Sequence, residues 1–286
     1  MEIIDNKALL LKVRQPNKIT EVIPKSKSLS SNEVLVNWGL EEAQVLKNLK
    51  IKNVPSPICK NYKWGGKFKP FEHQKETSSF LTLNRRAFVF NEQGTGKTAS
   101  VIWAADYLMK LGFIKRVLVL CPLSIMQSAW GGDLFKFAIH RSVAIAHSYS
   151  REKRIEVVNS DAEFVICNYD GLQIIRDAVN NNEFDLIVVD EANAYKTVTT
   201  KRWKILNSVI KPHTWVWMLT GTPASQSPTD AYGLARIISP ANVPKYFGTF
   251  KDLVMYKVSQ FIWLPKEKAE DVVHKALQPA IRFTKE

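Results

Sequence analysis

The stretch NEQGTGKT, Asn91 to Thr98, decides the fold of this 286-residue chain. It follows a short apolar run, AFVF (Ala87–Phe90), and it opens the helical pattern TASVIWAADYLMKL. Only glycine lets a backbone curl closely around a triphosphate, and Gly94 and Gly96 supply that freedom. A helix that follows such a turn presents its positive N-terminal end to the phosphates. The stretch therefore predicts a phosphate loop that binds ATP.

The positions of this loop have different expected roles. Lys97 is expected to reach the β- and γ-phosphates, and the hydroxyl of Thr98 is expected to bind Mg²⁺. One position departs from the pattern GxxxxGK[ST], because Asn91 stands where that pattern has glycine. The predicted nucleotide-binding residues of the loop are Gln93, Gly94, Thr95, Gly96, Lys97 and Thr98.

A second group of polar residues lies in LIVVDEAN, Leu186 to Asn193, where two acids follow an apolar strand pattern. Asp190 is placed to hold the magnesium ion, and Glu191 to orient or deprotonate the attacking water. Acids at such a position also serve as plain helix N-caps, since they satisfy unpaired amides. The phosphate loop upstream favours the catalytic interpretation.

Strand and helix patterns alternate from about residue 68 onward. The apolar runs VLVLC, VAIAH, FVICN, LIVVD and WVWML are typical of strands buried on both faces of a parallel sheet. Helical patterns between them, one from about Ser124 to Phe137, imply right-handed βαβ units. We therefore predict an α/β fold with a doubly wound, mostly parallel sheet, in which ligands bind at the carboxyl ends of the strands.

Residues 1–67 have another pattern and are predicted to form a small basic α+β element with a linker, followed by the α/β domain over residues 68–286. Short alternating runs before Trp38 indicate strands, and Gly39–Ile51 has helical spacing. Of the 40 lysine and arginine residues, 13 lie in residues 1–70, together with 6 of the 27 acidic residues. This excess, within a net charge of +13, favours nucleic acid as a partner, although a merely solvated surface explains it equally well.

Aromatic residues that lie among lysines leave two interpretations open. Tyr62, Trp64 and Phe68 are interleaved with lysines from Lys60 to Lys69, which is compatible with contacts to nucleic-acid backbone and bases. The same residues would also pack onto the α/β domain. Trp130 likewise would either stack on a base or fill the core.

The cysteine content and hydropathy indicate a cytoplasmic protein. The chain has 3 cysteines, an odd number without a CxxC pair, which favours free thiols in a reducing compartment over disulfides or zinc. No apolar stretch approaches the roughly 20 residues that span a bilayer, so no membrane association is expected.

These motifs, in this order, resemble the first RecA-like domain of superfamily-two helicases, and most closely the SWI/SNF-type remodeller and translocase branch. FKPFEHQ (Phe68–Gln74) is similar to the segment whose glutamine reads adenine. DEANAYK (Asp190–Lys196) resembles DEAHRLK, and MLTGTPASQSPTDAYGLARIISP (Met218–Pro240) parallels the family's LTGTP segment. VLVLCPLSIMQSAWGGDLFKF (Val117–Phe137) is similar to a family segment that touches nucleic-acid backbone. FVICNYDGL (Phe164–Leu172) is similar to the family's later strand–Thr-Tyr segment, with Asn168 where a threonine is usual. The overall sequence also resembles bacteriophage members of this branch, which would be located in the host cytoplasm.

The resemblance implies further roles. It makes Gln74 the adenine-reading residue and implies that the segment containing Thr220, Gly221 and Thr222 couples hydrolysis to movement on DNA. Asn193 replaces the histidine that links the ATP site to this segment, and it keeps hydrogen-bonding capacity but cannot become charged. The residues expected to contact nucleic-acid backbone are Ser124, Asn168 and Lys196.

The resemblance also implies a second RecA-like domain, which supplies arginine fingers to the γ-phosphate. The segment after Pro240 is too short for such a domain, and LQPAIRFTKE looks like the segment that leads into it. We therefore expect the second domain in a longer chain or in a partner. The predicted function is the ATP-binding half of a motor that moves on double-stranded DNA. A nucleotide-gated binding module with negligible hydrolysis and an RNA helicase domain are the alternatives.

Overall fold

The N-terminal part of the chain is a small antiparallel sheet with helices in the computed structural model, which describes residues 1–224 and 226–285. Ser225, within the LTGTP-like segment, and Glu286, the end of the predicted α/β domain, lie outside the described residues. The elements are β1 (Glu2–Ile4), β2 (Ala8–Lys12), α1 (Asn17–Thr20), β3 (Ser26–Ser28), β4 (Glu33–Asn37) and α2 (Leu40–Asn48). The strand order is β1-β2-β4-β3, with antiparallel neighbours. The predicted small α+β element is confirmed.

The stretch predicted as a linker packs against the large domain. It contains a short helix, α3 (Ile58–Asn61), and Ile58 and Tyr62 are buried in the core of the large sheet. Trp64 lies edge-to-face against Tyr62 and Trp103, with ring centroids 5.2 and 5.6 Å apart. Phe68 is the exception, with 62% of its surface exposed. Of the two interpretations left open for these aromatics, the structure therefore shows packing for Tyr62 and Trp64.

The large part of the chain alternates strands and helices. Its first elements are α4 (Glu72–Thr82), β5 (Arg86–Val89), α5 (Lys97–Lys110), β6 (Val117–Cys121), α6 (Gly132–Phe137), β7 (Val143–Ile145), α7 (Arg151–Asn159), β8 (Phe164–Asn168) and α8 (Gly171–Asn181). The remaining elements are β9 (Leu186–Val189), α9 (Lys201–Val209), β10 (Trp215–Leu219), α10 (Ala231–Ile238), α11 (Phe247–Val254), β11 (Met255–Lys257), β12 (Trp263–Pro265), α12 (Ala269–Ala276) and β13 (Ala280–Ile281).

Seven of these strands form one parallel sheet in the order β13-β5-β10-β9-β6-β8-β7, while β11 and β12 pair separately. Every residue of β6, β9 and β10 is buried, because helices cover both faces of the sheet. The predicted α/β class with a doubly wound sheet is thereby confirmed. No helix within residues 1–224 and 226–285 combines the length and apolar character needed to cross a lipid bilayer.

Two details differ from the sequence prediction. The single helix expected from about Ser124 to Phe137 is instead a 3-10 turn (Leu123–Ile125), a π-helix (Met126–Gly131) and then α6. A glycine pair lies at the junction between the π-helix and α6, and glycine is a poor helix former. The structure also adds β13 at the sheet edge, a strand of only two residues that carries no periodic signal.

A buried carboxylate holds the end of α5 to the neighbouring elements. The side chain of Asp106 is fully buried and lies 2.7 to 2.8 Å from four partners, which are Tyr62, Lys110, His140 and Arg141. Burial by itself would raise the pKa of Asp106, but the four hydrogen bonds outweigh this and lower the pKa to about 2. This network joins α5 to the segment after α3, through Tyr62, and to the loop before β7, through His140 and Arg141.

We expect Asp106→Ala to lower the free energy of unfolding by about 3–5 kcal/mol, because it removes the carboxylate that the largely buried Arg141 and Tyr62 bind. Urea unfolding at pH 7 measures this. Because the pKa of Asp106 is lowered to about 2 from 3.8, the contribution is present above about pH 4 and is lost as the pH falls through 2. Asp177, which pairs with Arg176 on the exposed surface, is the control, and Asp177→Ala should change stability by less than about 0.5 kcal/mol. Equal losses in the two variants would contradict the prediction.

Candidate nucleotide site

The predicted site residues follow three neighbouring strands. Because β5, β10 and β9 are adjacent and parallel, the segments after them lie at the same edge of the sheet. The phosphate loop follows β5, Thr220 follows β10, and Asp190 follows β9. The structure therefore places the phosphate loop and the two acids at one edge of the sheet, as their predicted shared role requires.

The phosphate loop has the curled backbone that its glycines predict. Gly94 and Gly96 have φ angles of 81° and 76°, in the left-handed region that favours glycine. Helix α5 begins directly afterwards at Lys97, whose ammonium donates to the carbonyl oxygens of Asn91 at 2.9 Å and Glu92 at 3.2 Å. The ammonium is thus held on the inside of the loop, where a terminal phosphate would be bound.

Lys97 and the two acids influence one another electrostatically. Burial lowers the pKa of Lys97, and the carboxylates of Asp190 and Glu191 oppose this lowering. Asp190 is only 6% exposed, and this burial raises its pKa, while the nearby ammonium opposes that rise. A cation and two carboxylates therefore share one partly desolvated site, in which each interaction is stronger than in water.

Hydrogen bonds fix the orientation of Asp190. The indole Nε1 of Trp130 donates to Oδ2 at 3.0 Å, and the backbone amide of Glu191 donates to Oδ1 at 2.9 Å. Trp130 is fully buried, so of the two interpretations left open for it the structure shows core packing. Its position in the π-helix also directs the indole toward the site, a role that the sequence did not indicate.

Glu191 has an unusual backbone conformation. Its φ of 46° lies in the left-handed region, which costs a non-glycine residue about 1–3 kcal/mol. The hydroxyl of Tyr169 donates to the carbonyl oxygen of Asp190 at 2.5 Å and approaches that of Glu191 at 3.4 Å. Tyr169 therefore helps to hold the strained turn that aims the Glu191 side chain. The sequence pointed to the neighbouring Asn168, whereas no role was predicted for Tyr169, although it lies in the segment that resembles the family's strand–Thr-Tyr segment.

The predicted adenine-reading residue lies beside the phosphate loop. Gln74 is 8% exposed, and its amide donates to the carbonyl oxygen of Thr95 at 3.1 Å and accepts from the amide of Phe71 at 3.0 Å. His73 also lies 2.9 Å from the carbonyl oxygen of Thr95. Gln74 thus supports the loop from α4, and its contact with adenine stays a prediction. Gln93 is exposed at the rim of the loop.

The predicted coupling residues form a continuous path. The amide of Asn193 donates to the carbonyl oxygen of Thr222 at 2.9 Å, which joins the acidic loop to the segment after β10. A Cβ atom on Gly221 would lie 3.7 Å from the carbonyl oxygen of Asn91, so this segment packs directly against the phosphate loop. The backbone amide of Thr220 donates to Val89 at the end of β5. Asparagine in place of histidine therefore keeps the contact.

The three residues expected at nucleic-acid backbone have different surroundings. Ser124 is exposed. Among the described residues, the side-chain oxygen of Asn168 is buried without a hydrogen-bond partner. The ammonium of Lys196 lies 3.1 Å from the carboxylate of Asp230 and 2.6 Å from the side-chain oxygen of Gln226, so it holds the LTGTP-like segment. Nucleic-acid contacts by all three residues stay predictions.

The donor atoms at the site suit magnesium. Thr98 offers a hydroxyl on the first turn of α5, and Asp190 offers a carboxylate from the adjacent loop. Both are hard oxygen donors, and Mg²⁺ bound to nucleotides typically takes one or two protein oxygens together with phosphates and water. The residues present therefore fit this ion.

Comparisons with known proteins agree with this geometry. The model of the SNF2-related domain family matches residues 23–282. An uncharacterized ATP-dependent helicase of Bacillus subtilis, YqhH, is 25% identical over 180 residues, which cover 62% of this chain and 30% of that protein. Protein p41 of Acyrthosiphon pisum secondary endosymbiont phage 1 is 29% identical over 180 residues, which cover 59% of this chain and 38% of that protein. The chain thus spans well under half the length of these relatives.

A solved structure shares the fold. The SWI2/SNF2 ATPase core of Sulfolobus solfataricus, in complex with double-stranded DNA, superposes with a TM-score of 0.65 at 23% identity. The match covers 77% of this chain and 46% of that chain.

Proposed function

Because the chain belongs to the SNF2-related domain family, we propose that it is the ATP-binding half of a motor that hydrolyses ATP and moves on double-stranded DNA. One observation carries the proposal: the phosphate loop with Lys97 follows β5, and Asp190 and Glu191 follow β9, at the same edge of the sheet on either side of β10. This arrangement can bind terminal phosphates on one side and activate a water molecule on the other.

Different residues of the site have different roles in hydrolysis. The loop amides and Lys97 bind and orient the β- and γ-phosphates, and Gln74 contacts adenine. Thr98 and Asp190 would hold Mg²⁺, which when bound neutralises charge on the phosphates. Glu191 accepts a proton from the attacking water, and the hydrogen bond from Tyr169 supports the turn that carries Glu191. A second RecA-like domain, in a longer chain or in a partner, would supply the arginine.

A change in the bound nucleotide would be transmitted to DNA by a movement of the segment after β10. Gly221 packs against the phosphate loop, and Asn193 binds Thr222 from the acidic loop. A shift of either loop upon hydrolysis would therefore displace this segment. DNA is favoured as the substrate because a solved relative is described in complex with double-stranded DNA, and because the chain has a net charge of +13. We also propose a cytoplasmic location, in which Cys59, Cys121 and Cys167 remain free thiols.

Steady-state ATP turnover with duplex DNA, with RNA and without nucleic acid tests the proposal. We expect duplex DNA to stimulate turnover and RNA to have no effect. Stimulation by RNA alone would indicate an RNA helicase domain. Nucleotide-dependent DNA binding without turnover, even when a second RecA-like domain is supplied, would indicate a gated binding module.

DNA binding should fall steeply with salt, because phosphate contacts release counterions from DNA. For about four contacted phosphates, raising the salt from about 50 to 200 mM should weaken binding by about 10²-fold. Fluorescence anisotropy of a labelled duplex at several salt concentrations measures the slope. Affinity that does not depend on salt would contradict a backbone-tracking motor.

A further inference from the structure

The C-terminal segment 281–285 runs along the phosphate loop. Beyond the end of β5, the amide of Phe90 donates to Ile281 at 2.8 Å and that of Glu92 donates to Phe283 at 3.0 Å. The pairing between β5 and β13 thus continues into the first residues of the loop, so the segment forms a wall of the nucleotide site.

Two side chains of the phosphate loop fix this segment. The side-chain oxygen of Asn91 accepts from the amide of Phe283 at 3.1 Å, while its nitrogen donates to the hydroxyl of Thr77 at 2.9 Å. The carboxylate of Glu92 accepts from the amide of Lys285 at 3.0 Å. Asn91 is 1% exposed, so this connection lies inside the protein. Glycine, which the general phosphate-loop pattern has at this position, could make neither side-chain contact.

The connection places a further cation at the loop. The ammonium of Lys285 lies 2.7 Å from the position that a Cβ atom on Gly94 would occupy. Gly94 has a positive φ and its surface is exposed, so the ammonium lies at the open rim of the loop. A polyphosphate bound on this loop would come within reach of a side chain as long and flexible as that of lysine.

We propose that Lys285 is a second phosphate-binding lysine, which the C-terminal segment delivers to the nucleotide and which Asn91 and Glu92 hold in position. The inference rests on the proposed function, because it requires a nucleotide on this loop. Lys97 binds the phosphates from inside the loop and Lys285 binds them from its rim.

Calorimetric titration of the 286-residue chain with ADP and Mg²⁺ tests this role. Lys285→Met keeps most of the length of the side chain and removes its charge, and should weaken ADP binding about tenfold, as expected for one charge-assisted hydrogen bond. Lys285→Arg should bind within about twofold of the unsubstituted chain, since it restores the charge. Lys275→Met, which removes an exposed lysine from α12, is the matched control and should leave the affinity unchanged.

A second comparison links Lys285 to Asn91. If Asn91 positions the segment, Lys285→Met should weaken ADP binding less in an Asn91→Ala background than in the unsubstituted chain. Equal or tighter ADP binding by the Lys285→Met variant would overturn the inference and leave the proposed function standing. Failure of the unsubstituted chain to bind ADP or ATP would overturn both. The thermal unfolding midpoint of the nucleotide-free chain should not change in Lys285→Met, which separates lost phosphate binding from lost stability.

Discussion

Glu191→Gln should lower DNA-stimulated ATP turnover by about 10³-fold, within the range of 10²–10⁴ that a positioned general base contributes. The substitution keeps the size of the side chain and its hydrogen-bonding capacity but removes the ability to accept a proton at neutral pH. Because the binding contacts are proposed to come from the phosphate loop, the affinity for ATP should remain within about threefold. Phosphate release at saturating ATP and duplex DNA measures turnover, and equilibrium titration measures affinity.

A control acid at the other end of β9 separates this effect from general damage. Glu183 is exposed before β9, whereas Glu191 follows β9, so the two acids lie at opposite edges of the sheet. Glu183→Gln should therefore leave turnover unchanged. If Glu191→Gln hydrolysed ATP as fast as the unsubstituted chain, another group would be the base, or the measured activity would belong to a contaminant. Parallel loss of turnover and ATP affinity would instead indicate that the substitution had disturbed the loop.

The central sheet was predictable because local sequence determines most of it. Runs such as Val117–Cys121 and Trp215–Leu219 have no polar residue, and only strands buried on both faces accommodate such runs. The phosphate loop was predictable for the same reason, since Gly94 and Gly96 adopt angles that few other residues tolerate. In both cases the information lies within a few consecutive residues.

The support around the site was not predictable, because it depends on residues far apart in the sequence. Trp130 binds Asp190 only because the π-helix turns the indole toward β9, and Tyr169 reaches the same loop from the end of β8. Strand β13 has two residues and is defined only by its pairing with β5. Nothing in the local pattern distinguishes such residues from ordinary core or loop residues. They become visible only when the sheet order places them side by side.

The substitution of asparagine for histidine at position 193 was visible in the sequence, but its consequence was not. The structure shows that the amide nitrogen reaches the carbonyl oxygen of Thr222, so the link does not need a charged group. Among the described residues, the side-chain oxygen of Asn193 is buried without a partner. A buried acceptor in this state costs about 1–3 kcal/mol, so a donor that reaches it in another nucleotide state would stabilise that state.

Lys97→Met should weaken the binding of ADP and ATP by at least about 10²-fold. Lys97 is the cation inside the loop, and charge-assisted hydrogen bonds contribute about 1.5–3 kcal/mol each. Removing the buried ammonium breaks two hydrogen bonds but also relieves its desolvation, since burial lowers the pKa of Lys97. The nucleotide-free chain should therefore lose less than about 1 kcal/mol of unfolding free energy. Titration calorimetry and urea unfolding measure the two quantities on the same sample.

Lys115→Met is the matched control for this experiment, because Lys115 is exposed in the turn after α5, at the opposite edge of the sheet. It should bind nucleotide like the unsubstituted chain.

The ammonium of Lys97 donates to the carbonyl oxygens of Asn91 and Glu92, so its loss could also open the loop. An opened loop would release the C-terminal segment as well, and Lys285→Met would then have no additional effect in the Lys97→Met background. If both lysines bind phosphate independently, the two losses should instead add as free energies. Near-normal nucleotide affinity in Lys97→Met would mean that this loop does not bind phosphate.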